Sequence, residues 1–416
     1  MRNGNIVDES LNEKVKTSKN TKRKIIFFIW LVICIFVYFQ IFELIMYTLG
    51  KKEKSNMLLY NGVNSVISFI SPKNKQIVEE NTLTIAALGD IYFSENMDKY
   101  FEKDSRNDYS FVKEELSKYN IVLASLNSPI LENSLTKKNI YSSSETVLKL
   151  LKSIGVSTVA TAGNHSMDKN EKGIVSTIDA LKKFEINQIG INSNSKKNKP
   201  YIIDKNNIKV GVLSYTTKTN IKTNKGKEYL VNKLTEENLK EDIQYCKTQN
   251  VDFVISYLNA SNEDGTMISN EQTKSAEMLF SAGVNIVLGT GSKVVQSSSE
   301  DLYEITSSTK NHIYTIYSLG DFIGDMNSVS RKVSVGADIK FNKIVKKDKK
   351  GKVLSSTSKM LLGKPISFYT SVTENKITNY PIESSIQSYN NNKLKLDTKD
   401  FNAMKNAEKS LKEILK

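Results

Sequence analysis

The stretch TAGNHSMDKN, residues 161–170, ends an apolar run in a Gly-Asn-His triplet and adds an aspartate three residues later. Asn164 and His165 offer an amide oxygen and an imidazole, both donor types for divalent ions, and Asp168 can orient the ring. Only two histidines occur in 416 residues, so any metal chemistry must take its remaining donors from other residue types. The second, His312 in TKNHIYTIY, is expected on a turn before its strand and is not recruited to the site.

Residues of this kind need a scaffold that brings them to one edge. From Leu83 the chain alternates short apolar runs with amphipathic segments. The runs are LTIAALGD (83–90), IVLASLN (121–127), TVATAGNH (158–165), KVGVLSY (209–215), VDFVISYLN (251–259), NIVLGTG (285–291) and IYTIYSLGDF (313–322). Most are β-branched and end in or next to Gly, Asn, Asp or Ser, as buried strands entering loops do. Helices are predicted between them. Val147, Leu150, Leu151 and Ile154 share one face, as do Ile174, Ile178 and Leu181, and Leu239, Ile243 and Cys246. Ser269 with Gln272 forms a capping-box start for a helix that Gly283 closes. Such alternation implies a layered α/β domain whose strand-end polar residues converge on one rim. After Phe322 the pattern becomes hairpins, VSVGADIKF and KVLSSTSKML around a turn between Asp348 and Gly351. The stretch 386–416 reads as a Lys/Asn-rich tail with a short helix.

Ile25 to Phe39 is a run of fifteen apolar residues, and the charge-free stretch extends to Phe42. Eighteen helical residues reach roughly 27 Å, close to the hydrocarbon thickness of a bilayer. Bulky residues continue to Leu49 with no small-residue cleavage pattern, which favours an anchor over a signal peptide. The heavier cationic flank lies on the N-terminal side. The expected organisation is therefore a cytoplasmic basic tail (1–24), a transmembrane anchor (25–49), a stalk (50–80) and an extracellular domain (81–385). The net charge of +14 is spread with no compact Arg-rich block, so it reads first as a solvated lysine surface, and otherwise suits an anionic membrane or acidic polymer. Outside the membrane it does not suit intracellular nucleic acid. Cys34 lies in the apolar run, so Cys246 has no partner for a disulfide within the outer portion.

In their order, several strand ends resemble the CapA family of poly-γ-glutamate capsule synthesis proteins. ALGDIYFSE carries the opening Gly-Asp, LNSPI the Ser-Pro segment, AGNHSMD the Asn-His-x-x-Asp loop, and SLGDF the closing motif. The resemblance covers roughly residues 83–385. It implies a calcineurin-like metallophosphoesterase fold, a four-layer α/β/β/α sandwich, with candidate rim residues Asp90, Asn127, Asn164, His165, Asp168, Asn259, Lys293 and Asp321.

The departures from the family pattern decide the expected chemistry. Asn127 stands where the family has Glu, Asn259-Ala260-Ser261 where it has His-Trp-Gly, and Asp321 where it has Asn. The late loop, histidine-rich in the family, reads Gly289-Thr290-Gly291-Ser292-Lys293. Two-metal hydrolysis needs several anionic or imidazole ligands. Asp90, Asn164 and His165 suffice for one weakly bound divalent ion or none, and Lys293 opposes ion binding. His165 fits a hydrogen-bonded fold element paired with Asp168 or Asp90 better than a metal ligand, because the partner ligands are missing. GTGSK lacks the spacing of a phosphate loop.

Two functions follow as expectations. The first is a non-hydrolytic, membrane-anchored accessory protein of poly-γ-glutamate synthesis or export, with membrane-bound synthase subunits and the anionic polymer as partners. The alternative is a metal-dependent hydrolase of phosphoesters or of the polymer, using a reduced site.

Overall fold

A computed structural model describes Trp30, Tyr38 and residues 76–92, 108–132, 140–195, 199–262, 265–306, 309–324, 326, 328–373 and 376–415. Contacts divide the chain into two units, Met1–Ile77 with Asp348–Lys352, and Val78–Lys347 with Val353–Lys416. In the first unit Trp30 and Tyr38 are helical and exposed, and the Asp348 N–H donates to the Lys352 carbonyl at 2.9 Å. Apart from Trp30 and Tyr38, the expected anchor lies outside the described residues, as does most of the expected stalk. Among the described residues no helix is long and apolar enough to cross a membrane.

The second unit is built on two sheets. The first contains β1 (Ile77–Ile91), β2 (Ile121–Leu126), β3 (Val156–Ala160) and β4 (Asn187–Ile189). The second contains β5 (Tyr201–Lys205), β6 (Ile208–Thr216), β7 (Phe253–Asn259), β8 (Ile286–Thr290), β9 (Ser298–Thr306) and β10 (Thr309–Ile316). The chain then returns to the first sheet with β11 (Asp321–Ile323), β12 (Val333–Lys347), β13 (Val353–Leu362), β14 (Ile366–Val372) and β15 (Ile377–Pro381). Among the described residues the orders are β15-β14-β12-β1-β2-β3-β4 and β5-β6-β7-β8-β10-β9, with β11 paired to β1 and β13 to β12. β1, β2, β3 and β4 run parallel, as do β6, β7, β8 and β10.

The layers follow from alternation along the strands. In β1, Leu83, Ile85 and Ala87 face a core shared with Val210, Val212, Ile255, Tyr257, Ile286 and Leu288 of the second sheet. Ala86 and Leu88 point the other way. They meet Val112 and Leu116 of α1 (Ser110–Leu116), Val147, Leu148 and Leu151 of α2 (Thr146–Ser153), and Leu181 of α3 (Asn170–Lys183). The outer face of the second sheet is covered by Leu239, Ile243 and Cys246 of α4 (Glu236–Thr248) and Ala276, Leu279 and Phe280 of α5 (Asn270–Ala282). Helix, sheet, sheet and helix thus stack as four layers.

Local signals are met where the sequence placed them. Ser269 and Gln272 form the reciprocal capping box, and Gly283 ends α5 at φ 106°, a left-handed turn that favours glycine. The structure differs at both ends of the domain. β1 begins at Ile77, inside the segment read as stalk. After α6 (Ile382–Asn390), the segment read as a tail forms α7 (Thr398–Ile414), whose Met404, Ala407 and Leu411 enter the core between the sheets. A stripe at i, i+3 and i+7 sits among the lysines, and burying it integrates the segment into the domain. His312 lies within β10 rather than on a preceding turn, and its Nε2 pairs with the Glu300 carboxylate at 2.7 Å.

Candidate functional site

The polar strand ends of both sheets converge. Asp90 is the penultimate residue of β1, Asn127 follows β2, Asn164, His165 and Asp168 follow β3, Asn259 ends β7, Lys293 follows β8, and Asp321 opens β11. All eight side chains are buried. Close backbone approach makes this arrangement possible. A Cβ on Gly89 would lie 2.1 Å from the Gly320 carbonyl, so only glycine lets β1 run this near β11. Asp90 and Asp321 consequently stand as Cα partners in the parallel register.

An amide network fills one side. Asn127 Nδ2 donates to Asn164 Oδ1 at 3.0 Å and to Asp90 Oδ2 at 3.4 Å, while its Oδ1 accepts the His165 N–H at 3.3 Å. Asn259 Nδ2 donates weakly to the same Asn164 oxygen at 3.5 Å. The Gly291 N–H donates to Asp90 Oδ2 at 2.8 Å.

An aromatic stack fills the other. The His165 ring lies 3.9 Å from Tyr141, which stacks in turn on Tyr92 at 4.9 Å between centroids. Asp168 Oδ2 accepts from the Tyr141 N–H at 2.7 Å and meets His165 Nδ1 at 2.6 Å, fixing the imidazole against the stack. The Asn220 side-chain amide also reaches Nδ1, at 2.9 Å. Tyr92 donates its hydroxyl to Asp321 Oδ2 at 2.8 Å. Lys293 Nζ sits 3.0 Å from the Tyr141 hydroxyl and within 5.5 Å of both tyrosine ring centroids, a cation–π geometry.

Electrostatics mark the two carboxyls as the costly groups. Burial raises the Asp90 carboxyl above the usual carboxylate range, against the pull of Ser125, the Gly291 N–H, His165 and Asn127. Burial, and next the neighbouring Asp90, push Asp321 well above that range, opposed by Tyr92, Lys293 and Arg331. Oδ1 of each has no hydrogen-bond partner among the described residues.

The structure therefore brings all eight predicted residues to one site. It adds Tyr92, Tyr141 and Asn220, which the sequence reading did not name, and the Gly291 N–H of the late loop. Tyr92 had a signal, because it lies two residues from Asp90 along an extended strand end and shares its side. Tyr141 and Asn220 lie in loops and carried none.

The donor chemistry does not fit a two-metal centre. Asn164 Oδ1 already accepts from two amides, Asp90 Oδ2 accepts an N–H and an amide, one imidazole is present, and an ammonium stands among them. Among the described residues no group of three or more His, Cys, Asp or Glu side chains is arranged to hold an ion.

Residues 84–326 match the family described as Bacterial capsule synthesis protein PGA_cap. The chain belongs to that family. The PGA_cap match includes every candidate rim residue. The Capsule biosynthesis protein CapA of Bacillus anthracis is 26% identical over 269 residues, covering 62% of this chain. The chain spans 63% of that relative's length. Similar solved structures include a 5'-nucleotidase precursor from Thermus thermophilus, at 12% identity and a TM-score of 0.37, covering 68% of this chain and 54% of that one. Another is the sulfate thiohydrolase SoxB of Thermus thermophilus, at 11% identity and a TM-score of 0.35, covering 67% and 56%.

Proposed function

We propose that this PGA_cap protein is a non-hydrolytic accessory factor in the synthesis or export of poly-γ-glutamate or a similar anionic capsule polymer. Residues 25–49 anchor it in the cell membrane with the N-terminus cytoplasmic, and the α/β domain stands outside. There it engages the polymer, or the membrane-bound synthase subunits that extend it.

One observation carries the non-hydrolytic reading. The strand-end donors are spent on one another, as with Asn164 Oδ1 accepting from Asn127 and Asn259, and an ammonium occupies the rim. The family match and the CapA relative support the capsule role. The chain's +14 charge supports an acidic polymer as ligand, with affinity that falls as salt rises.

The test uses the full chain in detergent and a deletion strain of its source. Retention of polyglutamate at low salt, its loss at high salt, reduced surface polymer on deletion and no turnover of polymer or phosphodiesters are expected. Turnover with Mn²⁺ that disappears in His165→Ala would establish the hydrolase instead.

A further inference from the structure

Asp90 and Asp321 pose a problem that the amide network does not solve. Two carboxyls on directly paired strand positions, each at 1% exposure, cannot both carry charge without a compensating cation. In related two-metal centres the compensation is an ion. Here the donor set does not fit one, and a cation that acts on Asp321 belongs to the chain itself.

Lys293 is placed for that role by three independent features. It is buried at 6% exposure, although a lysine ammonium strongly favours water. Its backbone holds φ at 66°, a left-handed conformation unusual for lysine, in the turn that also presents the Gly291 N–H to Asp90. Its Nζ is gripped by the Tyr141 hydroxyl and the two tyrosine faces, and Tyr92 in turn bonds Asp321. The backbone closes the same unit, because the Asp321 N–H donates to the Lys293 carbonyl at 3.3 Å.

We infer that the ammonium of Lys293 is the resident cation of the Asp90–Asp321 pair, balancing through a tethered side chain one of the two carboxylate charges that a divalent ion would otherwise balance together. The tether holds the ammonium at the site without exchange, and divalent ions are excluded by repulsion in a desolvated site. The stack of Tyr92 and Tyr141 then acts as the cradle for the lysine. This assignment concerns the site's own charge balance and stands or falls separately from which polymer the protein handles.

The experiment is Mn²⁺ uptake by the full-length chain at pH 8, read by loss of the free-ion EPR signal, with thermal melting in parallel. Wild type and Lys293→Arg are expected to take up no Mn²⁺ and to melt unchanged in its presence. Lys293→Met, matching the stem but lacking the charge, is expected to take up about one Mn²⁺ per chain through the exposed demand of the two carboxylates. Its melting temperature should rise by roughly 4 °C at saturating ion. Adding Asp321→Asn to Lys293→Met should abolish that uptake. Should Lys293→Met fail to fold, the double variant, with both charges removed, should recover a cooperative melt. Stoichiometric uptake by wild type that Asp90→Asn removes, a folded Lys293→Met without uptake, or a double variant with no recovery would each overturn the assignment.

Discussion

Asp90 and Asp321 are Cα partners on neighbouring parallel strands, and both carboxyls are buried. The contact is available because Gly89 lets the two backbones close, the Asp90 N–H donating to the Gly320 carbonyl at 3.1 Å. It joins the first strand of the matched family region to its last motif. The site is thereby a product of long-range topology rather than of any local segment.

The pair predicts a pH dependence. Burial and Asp90 raise the Asp321 pKa above its unfolded value, so the folded state binds more protons than the unfolded one between those two values. Stability is then greatest below the ordinary carboxylate range and is lost as pH rises through the folded pKa. Asp90, Tyr92, Lys293 and Arg331 face this carboxyl and set where that loss occurs. Asp321→Asn removes the titration. It should be more stable than wild type at pH 8, with the difference shrinking steadily toward pH 4. Urea melts across that range check it, and a constant difference would refute the assignment.

Gly89→Ala should be far more damaging than an ordinary surface substitution. The added Cβ would lie 2.1 Å from a backbone carbonyl and 3.1 Å from the Leu319 Cβ, so no flexible side chain can yield. A loss of about 3 kcal/mol or more is expected, at the upper end for single substitutions. Gly155→Ala, a helix-end glycine at φ 90° with nothing within 4 Å, should cost only about 1 kcal/mol through backbone strain. Chemical denaturation of the two variants side by side measures the contrast.

Much of this fold is legible in the sequence. Each apolar run became a strand and all but KVGVLSY brought a polar end to the rim, because burial on both faces demands continuous hydrophobicity and loops begin where it stops. The Ser269–Gln272 box and Gly283 acted locally and so could be read locally. Tyr141 and Asn220 could not be found, since their roles arise from stacking and contacts across loops. A short helix was expected where α7 forms, but its burial in the core was missed for another reason. Lysine and asparagine dominate its composition, and the apolar stripe of Met404, Ala407 and Leu411 is thin enough to be hidden by them.

Asp168 is predicted to be a structural anchor of the aromatic stack. Its Oδ2 serves both the Tyr141 N–H and His165 Nδ1, and the residue is 2% exposed. Asp168→Ala strands a buried N–H and an imidazole, at a cost of about 2–4 kcal/mol. Asp168→Asn retains an acceptor for one of them and should lose about half as much. Equilibrium unfolding separates the two, and equal losses would show that hydrogen bonding at Oδ2 does not matter.

The C-terminal helix supplies the last prediction. Met404 and Leu411 are buried against residues contributed by both sheets, at 0% and 5% exposure, so α7 belongs to the folded core. Asp400 adds polar attachment by accepting from Ser371 Oγ at 2.5 Å and Tyr369 at 3.2 Å. Met404→Ala or Leu411→Ala should each cost about 2–4 kcal/mol, the range for truncating buried aliphatic side chains. Lys409→Ala, on the exposed face, should stay within about 0.5 kcal/mol. A chain ended at residue 385, where composition alone would place the boundary, should lose its cooperative melt because the apolar surface under α7 is opened to water. If that shortened chain melts like the full one, α7 rests on the domain without stabilising it.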